Sequence, residues 1–165
     1  MTRTFRETYR ADLGGSCRVE DVEAYVAEHF GDPVQRAELE DAHVATLVAE
    51  IDGTLAGYAQ LREPAPCPTL DGPRPVEVAR FYVDRPWHGR GLAGALMGEC
   101  VAFAPTADPL WLSVFQRNPR AVAFYEKWGF ERAGVQRFVM GDDVQDDWVL
   151  VRRPASPLSP LHPPR

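Results

Sequence analysis

No apolar run in this chain of 165 residues approaches the roughly 18 needed for a helix to cross a bilayer, so no membrane partner is expected. Cysteine is scarce. Cys17, Cys67 and Cys100 are odd in number, far apart and without a C-x-x-C pair. That usage reads as reduced thiols in a cytoplasmic protein and offers no metal site. The four histidines are scattered, and none forms an i, i+4 ligand pair. Positive charge is in deficit: 18 Lys and Arg stand against 24 Asp and Glu, a formal net charge of −6, which argues against a nucleic-acid partner. The opening Met-Thr-Arg-Thr-Phe-Arg-Glu-Thr has no apolar signal-peptide core. No Gly-Lys-[Ser/Thr] follows any glycine turn, which excludes a mononucleotide P-loop.

The stretch from Glu77 to Met97 organises what is present. Val76–Val83 is rich in β-branched and aromatic residues and reads as a strand. Asp84-Arg85-Pro86 ends it, because Pro86 has no N–H for a ladder. Gly89-Arg90-Gly91 then opens an apolar helix with Leu92, Ala95, Leu96 and Met97 at helical spacing. The first N–H groups of a helix lack intrahelical partners and lie at the positive end of its dipole. Glycines let an anion approach that backbone closely. The backbone of His88, Gly89, Arg90, Gly91, Leu92, Ala93 and Gly94 therefore reads as a pyrophosphate cradle. A helix that merely begins with glycines is the plainer alternative.

The rest of the chain supplies the frame. Val19–Phe30 reads as a helix with Val22, Tyr25, Val26 and Phe30 on one face, and Pro33 starts a second helix to Glu40. These helices either line a substrate entrance or simply pack. A short edge strand is expected at 4–10. Asp52-Gly53 between apolar runs predicts a hairpin of Val44–Ile51 and Thr54–Arg62. Residues 64–75 are a proline-broken loop. Leu110–Phe115 is a nearly continuous apolar run, read as a strand buried on both faces and parallel to Val76–Val83. Asn118 caps a helix that Pro119 begins and Gly129 ends. Residues 130–140 and 145–153 read as a final antiparallel pair around Gly141-Asp142-Asp143. The sequence is expected to form one domain over 1–153, with a proline-rich, loosely extended tail over 154–165.

Two motifs compete at the glycine turn. Gly89-Arg90-Gly91-Leu92-Ala93-Gly94 matches the dinucleotide pattern G-x-G-x-x-G, but the next strand ends at Gln116-Arg117 with no carboxylate for a ribose. His88 to Ala93 resembles the [QR]-x-x-G-x-[GA] signature of the GCN5-related N-acetyltransferases (GNAT). One strand later, Asn118-Pro-Arg-Ala-Val-Ala-Phe-Tyr-Glu-Lys-Trp-Gly-Phe130 resembles that family's N-x-x-A-x-x-F/Y-Y-x-x-x-G-F segment. The resemblance spans 44–153, and the segment 137–147 is similar to a polyamine-acetylating PaiA-type branch.

The resemblance implies a mixed α/β (α+β) fold. Its mostly antiparallel central sheet is flanked by helices, and two central parallel strands splay apart around acetyl-CoA, the cosubstrate. It implies direct attack of a primary amine on the thioester. Backbone N–H groups at Phe81, Tyr82 and Val83 would hold the acetyl carbonyl and pantetheine arm. Tyr125 would protonate the leaving thiolate, and Asn118 would touch the cofactor. Each has a plainer alternative, a core tyrosine and a helix cap. His88 stands where the family usually has Gln or Arg; the side chains of His88, Arg85 and above all Arg90 are candidates for added charge. Glu77 is the candidate base, grouped by strict alternation with Ala79 and Phe81, or else a solvated edge charge. Asp142, Asp143, Asp146 and Asp147 either favour a cationic acceptor or form a solvated turn. The expected partner is a small-molecule or peptide amine, with a homodimer left open. A nicotinamide-dependent oxidoreductase and a non-catalytic acyl-CoA-binding module are the competing readings.

Overall fold

A computed structural model describes residues 18–70, 75–104, 109–140 and 143–154. The elements run α1 (Val19–Phe30), α2 (Asp32–Glu40), β1 (Val44–Ile51), β2 (Thr54–Arg62), β3 (Val76–Val83), a 3-10 turn (Arg85–Trp87), α3 (Leu92–Phe103), β4 (Leu110–Phe115), α4 (Pro119–Lys127), β5 (Glu131–Met140) and β6 (Asp143–Arg152). The strand expected at 4–10, the turn residues 141–142 and the tail beyond 154 lie outside the described residues. The last strand begins two residues earlier than its sequence pattern suggested, at Asp143.

The sheet has the order β1-β2-β3-β4-β6-β5. Every pair is antiparallel except β3 with β4. This is the mixed, mostly antiparallel sheet that the sequence implied. The first hairpin follows from local chemistry: Asp52 and Gly53 both take positive φ, 51° and 74°, the twist a two-residue turn requires. The parallel pair is short. Only Val76↔Leu110 and Glu77↔Trp111 are in register, and beyond them β3 and β4 separate. The backbone edge of 78–83 therefore faces an opening instead of a neighbouring strand.

Helices cover both faces. Leu96, Met97 and Cys100 of α3 and Val122 and Tyr125 of α4 bury one face against Ala59, Leu61, Val76, Val78 and Leu112. On the other face Val22, Val26 and Phe30 of α1 pack with Met140 and Tyr82, while Ala65 and Cys67 cover Trp111, Val149 and Val151.

A β-bulge changes one expectation. Gln60 pairs with Arg80 and Leu61 with Val78, so Ala79 has no partner across β2. The extra residue inverts the alternation. Val76 and Val78 meet the α3 core before it, and Phe81 and Val83 meet the same core after it. Glu77 and Phe81 consequently point to opposite faces, contrary to the strict alternation read from the sequence. Glu77 falls with Arg80 and Tyr82 on the α1 side, where its carboxylate lies 4.0 Å from Arg62.

That side carries a buried ionic network. Arg80 is 8% exposed; it donates to Glu38 at 2.6 Å and to the His29 carbonyl at 2.7 Å, and its guanidinium lies 4.3 Å over the Phe30 ring. Arg62 also donates to Glu38, at 3.2 Å. The network ties α1 and α2 to the sheet. Arg80→Ala leaves the Glu38 carboxylate and the His29 carbonyl short of a donor. The expected loss is about 3 kcal/mol, measured by urea unfolding; a loss below about 1 kcal/mol would show that solvent replaces the guanidinium.

Candidate active site

The opening between β3 and β4 holds a cavity of about 410 Å³, within the size range of small-molecule sites. The free edges of both strands bound it. Val78, Phe81 and Val83 line it and belong with the α3 core, whereas Arg80 and Tyr82, which also line it, belong with the α1 face. Across the opening the walls are Ser113, Val114 and Phe115 of β4 and Asn118, Arg120 and Tyr125 at and beyond the start of α4. The helices that line it are α3, through Ala93, and α4, through Ala121, Phe124 and Tyr125.

The glycine turn stands at one mouth. After the turn Arg85–Trp87, Gly89 and Gly91 take φ of 73° and 85°, the left-handed region that glycine adopts without strain. Gly91 is the N-cap of α3 and gives no side-chain cap. The first intrahelical bond runs from Ala95 to Gly91, so the N–H groups of Leu92, Ala93 and Gly94 precede the ladder. A Cβ built on Gly89, Gly91 or Gly94 would meet no atom within 4 Å. The space above these donors is open, and open donors at a helix N-terminus suit a phosphate.

Of the residues singled out from the sequence, Phe81, Tyr82, Val83, His88, Gly89, Ala93, Asn118 and Tyr125 all line the cavity. Arg90, Gly91, Leu92 and Gly94 lie outside its lining, farther along the turn. Arg90 places its guanidinium 5.4 Å from the Trp87 ring centre. Glu77 is not on the cavity wall; burial raises its carboxyl pKa, and Arg62 partly offsets that. His88 turns inward. Its Nε2 lies 2.8 Å from the Val83 carbonyl, which only accepts, so that nitrogen carries the proton. Nδ1 is then the acceptor for Arg120 at 3.5 Å. The imidazole braces the end of β3.

Asn118 does cap α4, accepting from the Ala121 N–H at 3.1 Å, and it also lines the cavity, so its two readings coexist. Tyr125 likewise is both core and wall. It is 8% exposed and its ring meets Phe81, Phe124 and Phe130 at 5.4–6.2 Å between centroids. Burial, then the nearby Cys100, raises its pKa, which keeps the phenol protonated. Arg120 is a residue the sequence reading missed. Its signal was present: it stands two residues after the cap, on the first turn of the helix that faces the opening. The aspartate group does not stay together. Asp142 lies outside the described residues, and Asp146 and Asp147, adjacent on a strand, point to opposite faces, exposed and buried respectively.

Known proteins share this family signature and this fold. A model of the Acetyltransferase (GNAT) family matches residues 5–130. The chain belongs to that family. It is 38% identical over 116 residues to an uncharacterised N-acetyltransferase of Mycobacterium tuberculosis, covering 69% of this chain and 70% of that one. It is 34% identical over 100 residues to the N-alpha-acetyltransferase RimI of the same species, covering 61% and 60%. Among solved structures, a PaiA N-acetyltransferase from Thermoplasma acidophilum in complex with coenzyme A superposes with a TM-score of 0.70 at 19% identity, over 92% of this chain and 89% of that one.

As a GNAT enzyme the protein is an acyltransferase whose cosubstrate is acetyl-CoA. The open donors of the glycine turn and the cavity beside it suit a molecule with a pyrophosphate and a long arm. The nicotinamide reading falls, because the sheet is mixed and mostly antiparallel instead of a doubly wound parallel one. Among the described residues, no three His, Cys, Asp or Glu side chains come together as metal ligands, and no helix is long and apolar enough to cross a membrane.

Proposed function

We propose that the protein transfers an acetyl group from acetyl-CoA to a primary amine by direct attack, without an acyl-enzyme. The observation that carries this reading is the cavity between β3 and β4, whose lining includes Tyr125, the free edge of β3 and His88 and Gly89 of the glycine turn. The N–H groups of Gly89 and of Gly91 to Gly94 hold the pyrophosphate, while those of His88 and Arg90 donate within the turn to the Arg85 and Trp87 carbonyls; Asn118 and Arg120 contact the cofactor from α4. The edge of β3 at Phe81, Tyr82 and Val83 receives the pantetheine arm and polarises the acetyl carbonyl. The amine nitrogen attacks that carbon, the C–S bond breaks, and the electron pair leaves on sulfur. The Tyr125 phenol gives its proton to the thiolate, and its oxygen then takes the surplus proton of the new amide. Glu77, on the α1 side, is the base that delivers the amine neutral, through water, since its carboxylate does not reach the cavity wall. Its raised pKa suits proton uptake.

Acetyl-CoA-dependent thiol release tests this against spermidine, small monoamines, amino acids, aminoglycosides and peptides. The expected outcome is turnover with at least one alkyl amine. CoA binding without turnover on any of them would restore the non-catalytic acyl-CoA-binding module.

A further inference from the structure

Buried polar atoms in folded proteins are nearly always hydrogen-bonded, so an exception calls for a reason. Here Tyr58 Oη, Gln60 Oε1 and Asp147 Oδ1 are buried without a hydrogen-bond partner among the described residues. All three lie on the α1 face of the sheet. Tyr58 and Gln60 share a face with Arg62, and Asp147 shares one with Val149 and Val151. Asp147 is the costly member, because a carboxylate without a counter-charge is the least tolerable buried group.

Its surroundings point to a missing cation. Asp147 is 8% exposed. It pairs directly across the ladder with Phe115, which lines the cavity, and directly opposed residues on paired strands point to the same face. Asp147 acts on Tyr25 of α1, as Arg80 and Arg62 also do; the uncharged Gln136 lies opposite it on β5, and Asp146 lies beside it. Arg80 and Arg62 are already engaged by Glu38, and Arg62 also by Glu77. Both arginines that act on Tyr25 thus have carboxylate partners already, and neither offsets the charge of Asp147. Burial, then Asp146, pushes its carboxyl up to about 6, with no cation to offset the rise. Tyr25 adds an aromatic ring, which attracts an ammonium.

We propose that Asp147 is the anchor for the acceptor's ammonium group on the α1 side of the opening, selecting acceptors that arrive as primary alkylammonium ions. The anchor rests on the direct-transfer reading, in which the amine enters opposite the cofactor. It is distinct from Glu77, which has Arg62 beside it and acts on the proton; Asp147 acts on binding.

The test is Asp147→Asn in the full chain, followed by acceptor kinetics, CoA titration and thermal melting. The expected result is a rise in acceptor KM of about 30-fold with kcat within about threefold and CoA affinity unchanged. The melting temperature rises by about 2–4 °C, because the amide removes a buried unpaired charge. Lost binding together with raised stability is a pairing that structural damage does not produce. An unchanged acceptor KM overturns the anchor. Should the wild-type protein acetylate no amine at all, thermal shift of the CoA-bound protein by butylammonium chloride, with butanol as the uncharged control, still decides. A shift by butylammonium alone that Asp147→Asn abolishes keeps the anchor while the transfer reading fails. Equal shifts in the two proteins, or none in either, overturn it.

Discussion

Gly91→Glu lowers affinity for CoA by about 100-fold or more, equivalent to about 2.7 kcal/mol. Two effects act together. Gly91 holds φ at 85°, where a side chain strains the backbone by about 1–2 kcal/mol. The new carboxylate is also placed at the positive end of α3, where it takes up the donors of Leu92, Ala93 and Gly94 and repels a pyrophosphate. Because a Cβ there meets nothing within 4 Å, the fold itself has room for the change. Gly91→Ala separates the two effects. It carries the strain without the charge, so its loss of affinity is expected to be several-fold only. Calorimetric titration with CoA at two salt concentrations measures both variants, and the difference between them shrinks with salt. Equal affinity in Gly91→Glu and the wild type would remove the pyrophosphate from this turn.

What the sequence made legible was what local chemistry decides. Asp52-Gly53 forced a tight hairpin, and Pro119 after Asn118 forced a helix start at the cavity. The glycine turn announced itself by residue type. The splay of β3 from β4 followed from family resemblance, and the two-pair register accounts for it physically. The features that escaped depend on partners distant in the chain. Ala79 bulges because of how β3 registers with β2, and no feature of Val76–Val83 alone signals it. Strict alternation therefore placed Glu77 with Phe81, on the wrong face. The Arg80–Glu38 pair joins residues 42 apart, and Arg62–Glu38 joins residues 24 apart. The bond from His88 Nε2 to the Val83 carbonyl, five residues back across the turn, was not legible either. The aspartates were read as a turn cluster. Because β6 already begins at Asp143, strand alternation divides Asp146 from Asp147.

Tyr125→Phe tests the chemistry itself. The ring is fixed by Phe81, Phe124 and Phe130, and the substitution keeps those contacts while removing one oxygen. The cavity wall and the cofactor mouth should therefore survive, and CoA affinity should stay within about threefold of the wild type. The turnover number should fall by about 100-fold, the usual contribution of a positioned proton donor. Burial raises the phenol's pKa, so the group is protonated across the working pH range and is a donor throughout, never a base in the resting enzyme. Losing it should then depress kcat by a similar factor at every pH. It should not remove one limb of a pH profile, as loss of a group titrating near neutrality does. An acceptor whose thiolate leaving step is already fast would show less loss, so the comparison belongs with the amine that turns over best. Equal turnover numbers in the two proteins would return Tyr125 to a packing role and leave the leaving thiolate to be protonated by water in the opening.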